Sequence, residues 1–462
     1  MPRIVRTLFL ACLIATPRLA GASTQEPKAL PQADERYKAD ILLVVAHPDD
    51  EAAATPYLAR ALDEHKRIAV IFSTRGSSGE NQAGAEQASA LGAVREIEAR
   101  NALTTFGINN VWFLSGKDTA SQNVLLSLAH WDHAETLEEL VRLVRLTRAE
   151  VILTFLPGTF IGEDHGDHQA CGVLATEAFD LAGDPTVFPE QLAGPVKRLP
   201  LENLRPWQVK KIYYFPDADR EDIFRGKGPS YSVKEVSKLS GKPYWRMALD
   251  AFRAHQTQAK SYLDKIAQMD EAQIQKMAAS DGWTEDQHYV LGKSVVRGSV
   301  TGDIFEGVTA GAIPFARPEI TPEPSRPDLS VELGGPWSFY AEFRRAHGIT
   351  NLPYPEPPEI ALQGPGTLVI PLWIRNQTAK PQEITLSATL PTGWTVENGT
   401  GKFVVAAKQT AAARVEVSLP APAEKPPPKA EAQQVTVRAE ANAQAIGEVK
   451  LLVELRKRAL PQ

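Results

Sequence analysis

Two short stretches of the chain crowd ionisable side chains together. "AHPDDE", 46–51, supplies His47, Asp49, Asp50 and Glu51; "HGDH", 165–168, supplies His165, Asp167 and His168. Neighbouring carboxylates repel one another and resist burial, so these clusters need a compensating charge. Two histidines and a carboxylate form a donor set for a divalent cation, with ligands at ~2.0–2.2 Å and one position open to water. Such an ion reverses the local electrostatics, lowers the pKa of bound water to roughly 7 and polarises a carbonyl. A carboxylate beside it can take a proton from water and return it to a leaving group, and a protonated histidine opposite can stabilise an oxyanion. Either cluster alone reads as a polar loop capping a helix, a role that suits Asp49 or Asp50. Two clusters on matching strand ends point to a metal site.

The flanking pattern supplies those strand ends. Ile41 to Ala46 are all apolar, as in a strand buried on both faces. Further strands are expected at 68–74, 111–114, 151–157 and 210–216. Helical periodicity lies between them at Ala52–Glu64, Ala85–Phe106, Ala134–Thr147 and His168–Ala182. This alternation predicts an α/β domain with a Rossmann-like, doubly wound, mostly parallel sheet covered on both faces. Ligands in such sheets bind beyond the carboxyl ends of the strands, near the switch point, where the tips of strands one and four are neighbours. In an extended tip, Asp49 and Asp50 would face opposite sides. No G-x-G-x-x-G follows strand one, which excludes a nucleotide-binding Rossmann domain.

"AHPDDE" followed by "HGDH" resembles the PIG-L/LmbE-like N-deacetylases. "STRGSSGE" (73–80), "LGAVREIEARNAL" (91–103) and "FRAHQTQ" (252–258) are similar to that family's second loop, next helix and late His-containing helix, so the resemblance spans roughly residues 38–280. It implies a zinc-dependent hydrolase of N-acyl groups, usually on N-acetylglucosaminyl conjugates. Carried over, the metal ligands are His47, Asp50 and His168, for Zn2+ or another divalent transition metal. Asp49 becomes the general base, His165 the oxyanion-stabilising residue and Asp167 its orienting partner, while Arg75 and Glu80 meet substrate. The implied partner is an N-acylated amino sugar or glycoconjugate. An amidase of thiol or other small-molecule conjugates shares these motifs; a non-catalytic, metal-stabilised glycan-binding protein would lack the base that Asp49 supplies. The stretches 115–133 and 183–235 depart from the family and reshape the pocket. His130, Asp132 and His133 read as a solvated loop starting the next helix. His255 either lines the pocket or sits on a helix surface, and Cys171 reads as a small buried residue.

The composition, 43% hydrophobic and 23% charged over 462 residues, is that of a globular protein, and a formal charge of -6 suggests no nucleic-acid partner. Arg3 and Arg6, the apolar run Leu8–Ala15 and Ala20-Gly21-Ala22 form a signal-peptide pattern over 1–22. The run is too short for a membrane anchor, so export to the periplasm or beyond is expected. Cleavage after Ala22 would bring the charge to -9 and leave Cys171 as the only cysteine. The expected domains are a deacetylase domain at 35–313, a Pro-rich linker at 314–356 and a β-sandwich accessory domain of the immunoglobulin type at 357–458, with a Pro-rich loop from Pro420 to Lys429. Trp337, Trp373 and Trp394 offer faces for stacking on sugar, though core positions suit Trp373 and Trp394. Few contacts are expected to cross the linker, so a chain ending near Pro318 would keep every residue given a role.

Overall fold

The computed structural model describes residues 33–158, 165–192, 203–216, 221–421 and 432–457. The signal-peptide reading of 1–22, with Cys12, lies outside these residues, as does most of the 420–429 loop. Each apolar run of the first half forms a strand: β1 (Ile41–Val45), β2 (Ile68–Phe72), β3 (Asn110–Phe113), β4 (Val151–Phe155) and β5 (Lys211–Phe215). β1, β2, β4 and β5 are buried at every position, because helices cover both faces of the sheet. Those helices are α1 (Thr55–Asp63), α2 (Ala88–Thr104), α3 (Val124–His130), α4 (His133–Thr147) and α5 (Gly166–Leu181). α3 takes up part of the stretch read from sequence as loop, with Asn123 accepting from the Leu125 amide as its cap. Then follow α6 (Glu221–Phe224), β6 (Ser230–Tyr231), α7 (Tyr244–Phe252), α8 (Gln256–Ile266), α9 (Glu271–Ser280), β7 (Gln287–His288) and β8 (Val290–Ser294). Among the described residues, no helix is long and apolar enough to cross a membrane.

The main sheet has the order β3-β2-β1-β4-β5-β8. All neighbours are parallel except β8, which runs antiparallel along β5. The winding direction reverses between β1 and β4, which pair directly with Ile41 opposite Val151 and Val44 opposite Thr154. Their carboxyl ends therefore open on one edge, the expected position for a site. The helix leaving the β4 edge is α5, buried along almost its whole length. Gly172 permits this, since a Cβ there would stand 2.3 Å from the carbonyl oxygen of Phe155.

Among the described residues, the C-terminal half is all-β apart from one helix. Its elements are β9 (Leu329–Leu333), α10 (Gly335–Ala346), β10 (Glu359–Gly364), β11 (Gly366–Asn376), β12 (Gln382–Thr389), β13 (Thr395–Asn398), β14 (Gly401–Val405), β15 (Gln409–Leu419), β16 (Gln433–Ala441) and β17 (Gln444–Lys457). They form two sheets, β10-β17-β16-β12-β14 and β13-β15-β11-β9. A common core including Leu372, Ile374, Val417, Val437 and Val453 holds them together. Alternation along β11 turns Leu372 and Ile374 inward and Trp373 outward. Trp373 is therefore 40% exposed rather than a core residue, whereas Trp394 and Trp337 are buried.

The linker reading of 314–356 does not survive. The stretch 312–327 holds no helix or strand, but "LSVEL" alternates as a strand should and pairs with β11, Val331 opposite Ile374. α10 follows at once, and its two sides belong to different cores. Trp337 packs into the sandwich. Tyr340 and Phe343, with Ile349 and Leu352 beyond, pack into the α/β core. The expectation of few contacts across this region fails for that reason, and a chain ending near Pro318 would lose part of the α/β core. The described residues belong to one compact unit.

The contact at Gly172 gives a stability prediction. Gly172→Ala should force α5 away from β4 and destabilise the protein by about 1–3 kcal/mol, as overpacking does. Denaturant unfolding reads the change; an unaltered midpoint would mean that α5 is not seated so tightly.

Candidate metal centre

The tip of β1 is not extended. After Pro48 the backbone turns sharply at Asp49, whose φ of 105° lies in the left-handed region, and then enters a 3₁₀ turn over Asp50–Ala53. Aspartate tolerates this region better than most residues, at a cost. Glu51 meets part of that cost. It is 3% exposed; Oε2 accepts from the Asp49 amide at 2.9 Å and Oε1 lies 2.7 Å from Nε2 of His255. Gln258 adds a hydrogen bond to the Pro48 carbonyl oxygen at 2.5 Å. His255 is thus neither a pocket residue nor a surface residue. It is fully buried, and although burial favours its neutral form, the Glu51 carboxylate outweighs that and raises its pKa.

The turn separates Asp50 from Asp49. Asp50 Oδ2 accepts from the backbone amides of Ala46 (3.0 Å) and His47 (2.6 Å) and lies 3.4 Å from His47 Nδ1. Its Oδ1 lies 3.2 Å from Nε2 of His168. His168 comes from the first turn of α5, its ring stacked on Phe155 with centroids 4.3 Å apart. Ligand atoms 2.0–2.2 Å from one ion at tetrahedral angles lie about 3.3–3.6 Å apart. His47, Asp50 and His168 thus fit a single divalent cation, and their ligand atoms all lie within 4.8 Å of one another. Burial opposes charge on both His47 and Asp50, yet their mutual attraction prevails. His47 is raised well above the usual histidine range by Asp50, Asp118 and Asp167. Asp50 is held well below the carboxylate range by His168 and His47. Asp49, facing the cleft, is pushed up to about 7 by burial and by the charge of Asp50.

The other nitrogen of His47 faces two carboxylates, Asp167 Oδ2 at 3.3 Å and Asp118 Oδ1 at 3.4 Å. A carboxylate on the far side of a metal-binding histidine fixes its ring and raises its basicity. Asp167 therefore does not orient His165 through its carboxylate, as the resemblance implied. Its Oδ2 also accepts from the Thr119 amide (2.9 Å), while among the described residues its buried Oδ1 has no hydrogen-bond partner. What His165 receives is the Asp167 backbone: its Nδ1 accepts from that amide at 3.2 Å and so caps α5. A neutral ring then carries its proton on Nε2. Burial, with His47 and His168 close by, pushes His165 down to about 4. The protonated histidine expected from sequence is thus a neutral one with a fixed donor. Asp118 was not anticipated; it lies past the carboxyl end of β3, on the same sheet edge, and accepts from the Ser78 amide at 2.7 Å.

His47, Asp49, Asp50, Asp118, His165 and His168 line a cleft of about 740 Å³ together with Trp283. Neither Arg75 nor Glu80 lines it. Arg75 turns to Glu96 (3.0 Å) and the Leu114 carbonyl oxygen (3.1 Å), and the Glu80 side chain is exposed. Arg95 takes their place on the wall, donating to the backbone oxygens of Gly76 (2.6 Å) and Glu80 (2.7 Å). His130 meets Thr119 (3.2 Å) and His133 meets Glu177 (2.6 Å), so these two histidines do not share a site. Cys171 is buried, as expected.

Residues 42–179, which run from β1 into α5 and contain both motifs, match the protein family described as "PIG-L: GlcNAc-PI de-N-acetylase". A PIG-L domain thus occupies this stretch. The chain is 26% identical to 1D-myo-inositol 2-acetamido-2-deoxy-alpha-D-glucopyranoside deacetylase 1 of Catenulispora acidiphila, over 63% of this chain and 96% of that protein. To a deacetylase of the same name from Frankia casuarinae it is 32% identical, over 37% of this chain and 57% of that one. Among solved structures, N,N'-diacetylchitobiose deacetylase from Pyrococcus horikoshii is similar at 17% identity and a TM-score of 0.39, covering 55% of this chain and 84% of that chain. The PIG-L match ends within α5, so α10 and the sandwich lie beyond it.

The strut beneath Asp49 is open to test. Glu51→Ala leaves His255 buried without its partner and should cost about 3–5 kcal/mol of stability. Glu51→Gln keeps the shape and should cost less. Urea unfolding of both variants distinguishes them, and wild-type stability in Glu51→Ala would refute the strut.

Proposed function

We propose that this protein removes the N-acetyl group from an amino sugar or its conjugate, with a divalent cation, taken to be zinc, held by His47, Asp50 and His168. The bound cation would supply an acidified water and a polarised acyl carbonyl. Asp49 takes the proton of the attacking water and returns it to the departing amine. A carboxyl pushed up to about 7 suits both halves of that task near neutral pH. His165 donates from Nε2 to the acyl oxygen as it gains negative charge. Asp118 and Asp167 hold the His47 ring from behind, and Arg95 shapes the wall through its backbone contacts.

The observation that carries this reading is the division of labour across one sharp turn. Asp50 is bound to two backbone amides and faces two histidines, while Asp49, one residue earlier, faces the cleft. The PIG-L match over 42–179 supports an amide hydrolase, and the deacetylase names of the relatives support an N-acetylated amino sugar as the substrate class. The pattern over residues 1–22 supports export, with the reaction occurring outside the cytoplasm.

Incubation of the zinc-loaded protein with a panel of N-acetylated amino sugars, reading free amine, tests the substrate class; no amine from any of them would overturn it. The two aspartates test the mechanism. Asp49→Asn should retain near-normal metal and lose on the order of 10²-fold or more in kcat. Asp50→Asn should lose metal affinity, with activity partly restored by excess metal. Equal loss of metal in both variants would remove Asp49 from the role of base.

A further inference from the structure

α10 lies far beyond the PIG-L match, yet it grips α5, the helix that carries His168, at both ends. Tyr340 donates its hydroxyl to Oε1 of Gln169, the residue following His168, and both side chains are fully buried. Among the described residues, the Gln169 amide nitrogen makes no hydrogen bond. At the far end of α5, Asp180 lies 2.7 Å from Nδ1 of His347, the C-cap of α10, and accepts from Lys293 of β8. Gln169 and Asp180 stand about three helical turns apart, hence on one face of α5, and Tyr340 and His347 stand about two turns apart. The two helices are therefore pinned by a contact at each end. α10 is itself held by Trp337 in the sandwich core, one turn before Tyr340.

The two contacts are not equivalent. The first turn of α5 carries His165 as its cap, then Asp167 and His168, whereas Asp180 sits in the last turn, away from the cleft. We propose that Tyr340 is a positioning residue for the candidate metal centre, fixing through Gln169 the first turn of α5 and with it the direction in which His168 presents its imidazole. The part that concerns the metal rests on the reading given under Proposed function; the part that concerns α5 does not. The sandwich then serves the centre mechanically, by holding α10 in register.

The test uses the full chain and two conservative variants, Tyr340→Phe and His347→Gln. In the metal-free protein, hydrogen exchange at amides 166–170 should quicken by about tenfold in Tyr340→Phe, with amides 177–181 unchanged. His347→Gln should show the reverse pattern. Competition against a chelating dye should then show zinc bound about fivefold more weakly by Tyr340→Phe and within about twofold of wild type by His347→Gln. Gln169→Met removes the other partner of the same hydrogen bond and should reproduce Tyr340→Phe, the double variant adding nothing further. Unchanged exchange at 166–170 in Tyr340→Phe, or equal loosening along α5 in both variants, would overturn the proposal. So would unchanged zinc affinity in Tyr340→Phe if the wild type binds zinc. The expected exchange pattern in a protein that binds no zinc would uphold Tyr340 as the anchor of α5 and reject the metal reading instead.

Discussion

Asp50 is the carboxylate on which the site is organised. One of its oxygens accepts from two backbone amides at the end of β1, and the other reaches across the sheet to His168 on α5. Those amides lie past the last pairing of β1, so the aspartate finishes the strand and begins the site in one interaction. The reach to His168 exists only because β1 and β4 are direct neighbours. Any strand order that placed another strand between them would add roughly 4.8 Å and break the contact. Strand order and charge compensation are thus two descriptions of one requirement.

Around this centre, charges are arranged in opposed pairs rather than in a pool. His47 lies between Asp50 on one side and Asp118 with Asp167 on the other, while Glu51 is withdrawn to serve His255. The four ionisable groups of "HPDDE" consequently face different partners. Withdrawing Glu51 also frees Asp49, since one fewer carboxylate competes for the cleft. The strained backbone at Asp49 is the geometric means of that sorting.

Much of this was legible in the chain. Continuous apolar runs marked β1, β2, β4 and β5 because burial on both faces leaves no polar alternation to confuse the pattern. The spacing of "HPDDE" and "HGDH" relative to those runs located the centre. What escaped were partnerships between distant residues: Glu51 with His255, Asp118 with His47, Tyr340 with Gln169. Each depends on how separate elements dock, and nothing near either residue announces its partner. Arg75 and Glu80 stand off the cleft for a related reason, since position in a motif says nothing about where a long side chain turns. Proline density hid β9, whose alternation "LSVEL" is short and follows an extended stretch. Trp373 was misread because alternation along β11 decides its face, and residue type does not.

β9 precedes α10 and β10 follows it, so the helix that enters the α/β core is flanked in the chain by strands of the sandwich. The sandwich is therefore not a cassette strung on the end of an enzyme. Its boundary in sequence, the stretch 312–327 without helix or strand, and its boundary in space, between Trp337 and Tyr340, fall at different places. A protease cutting within 312–327 would leave two fragments joined by a buried helix face, which should stay together through size-exclusion chromatography. Recombination at the same point would part α10 from the core that receives it, so this sandwich could be moved only to a host whose α5 surface matches.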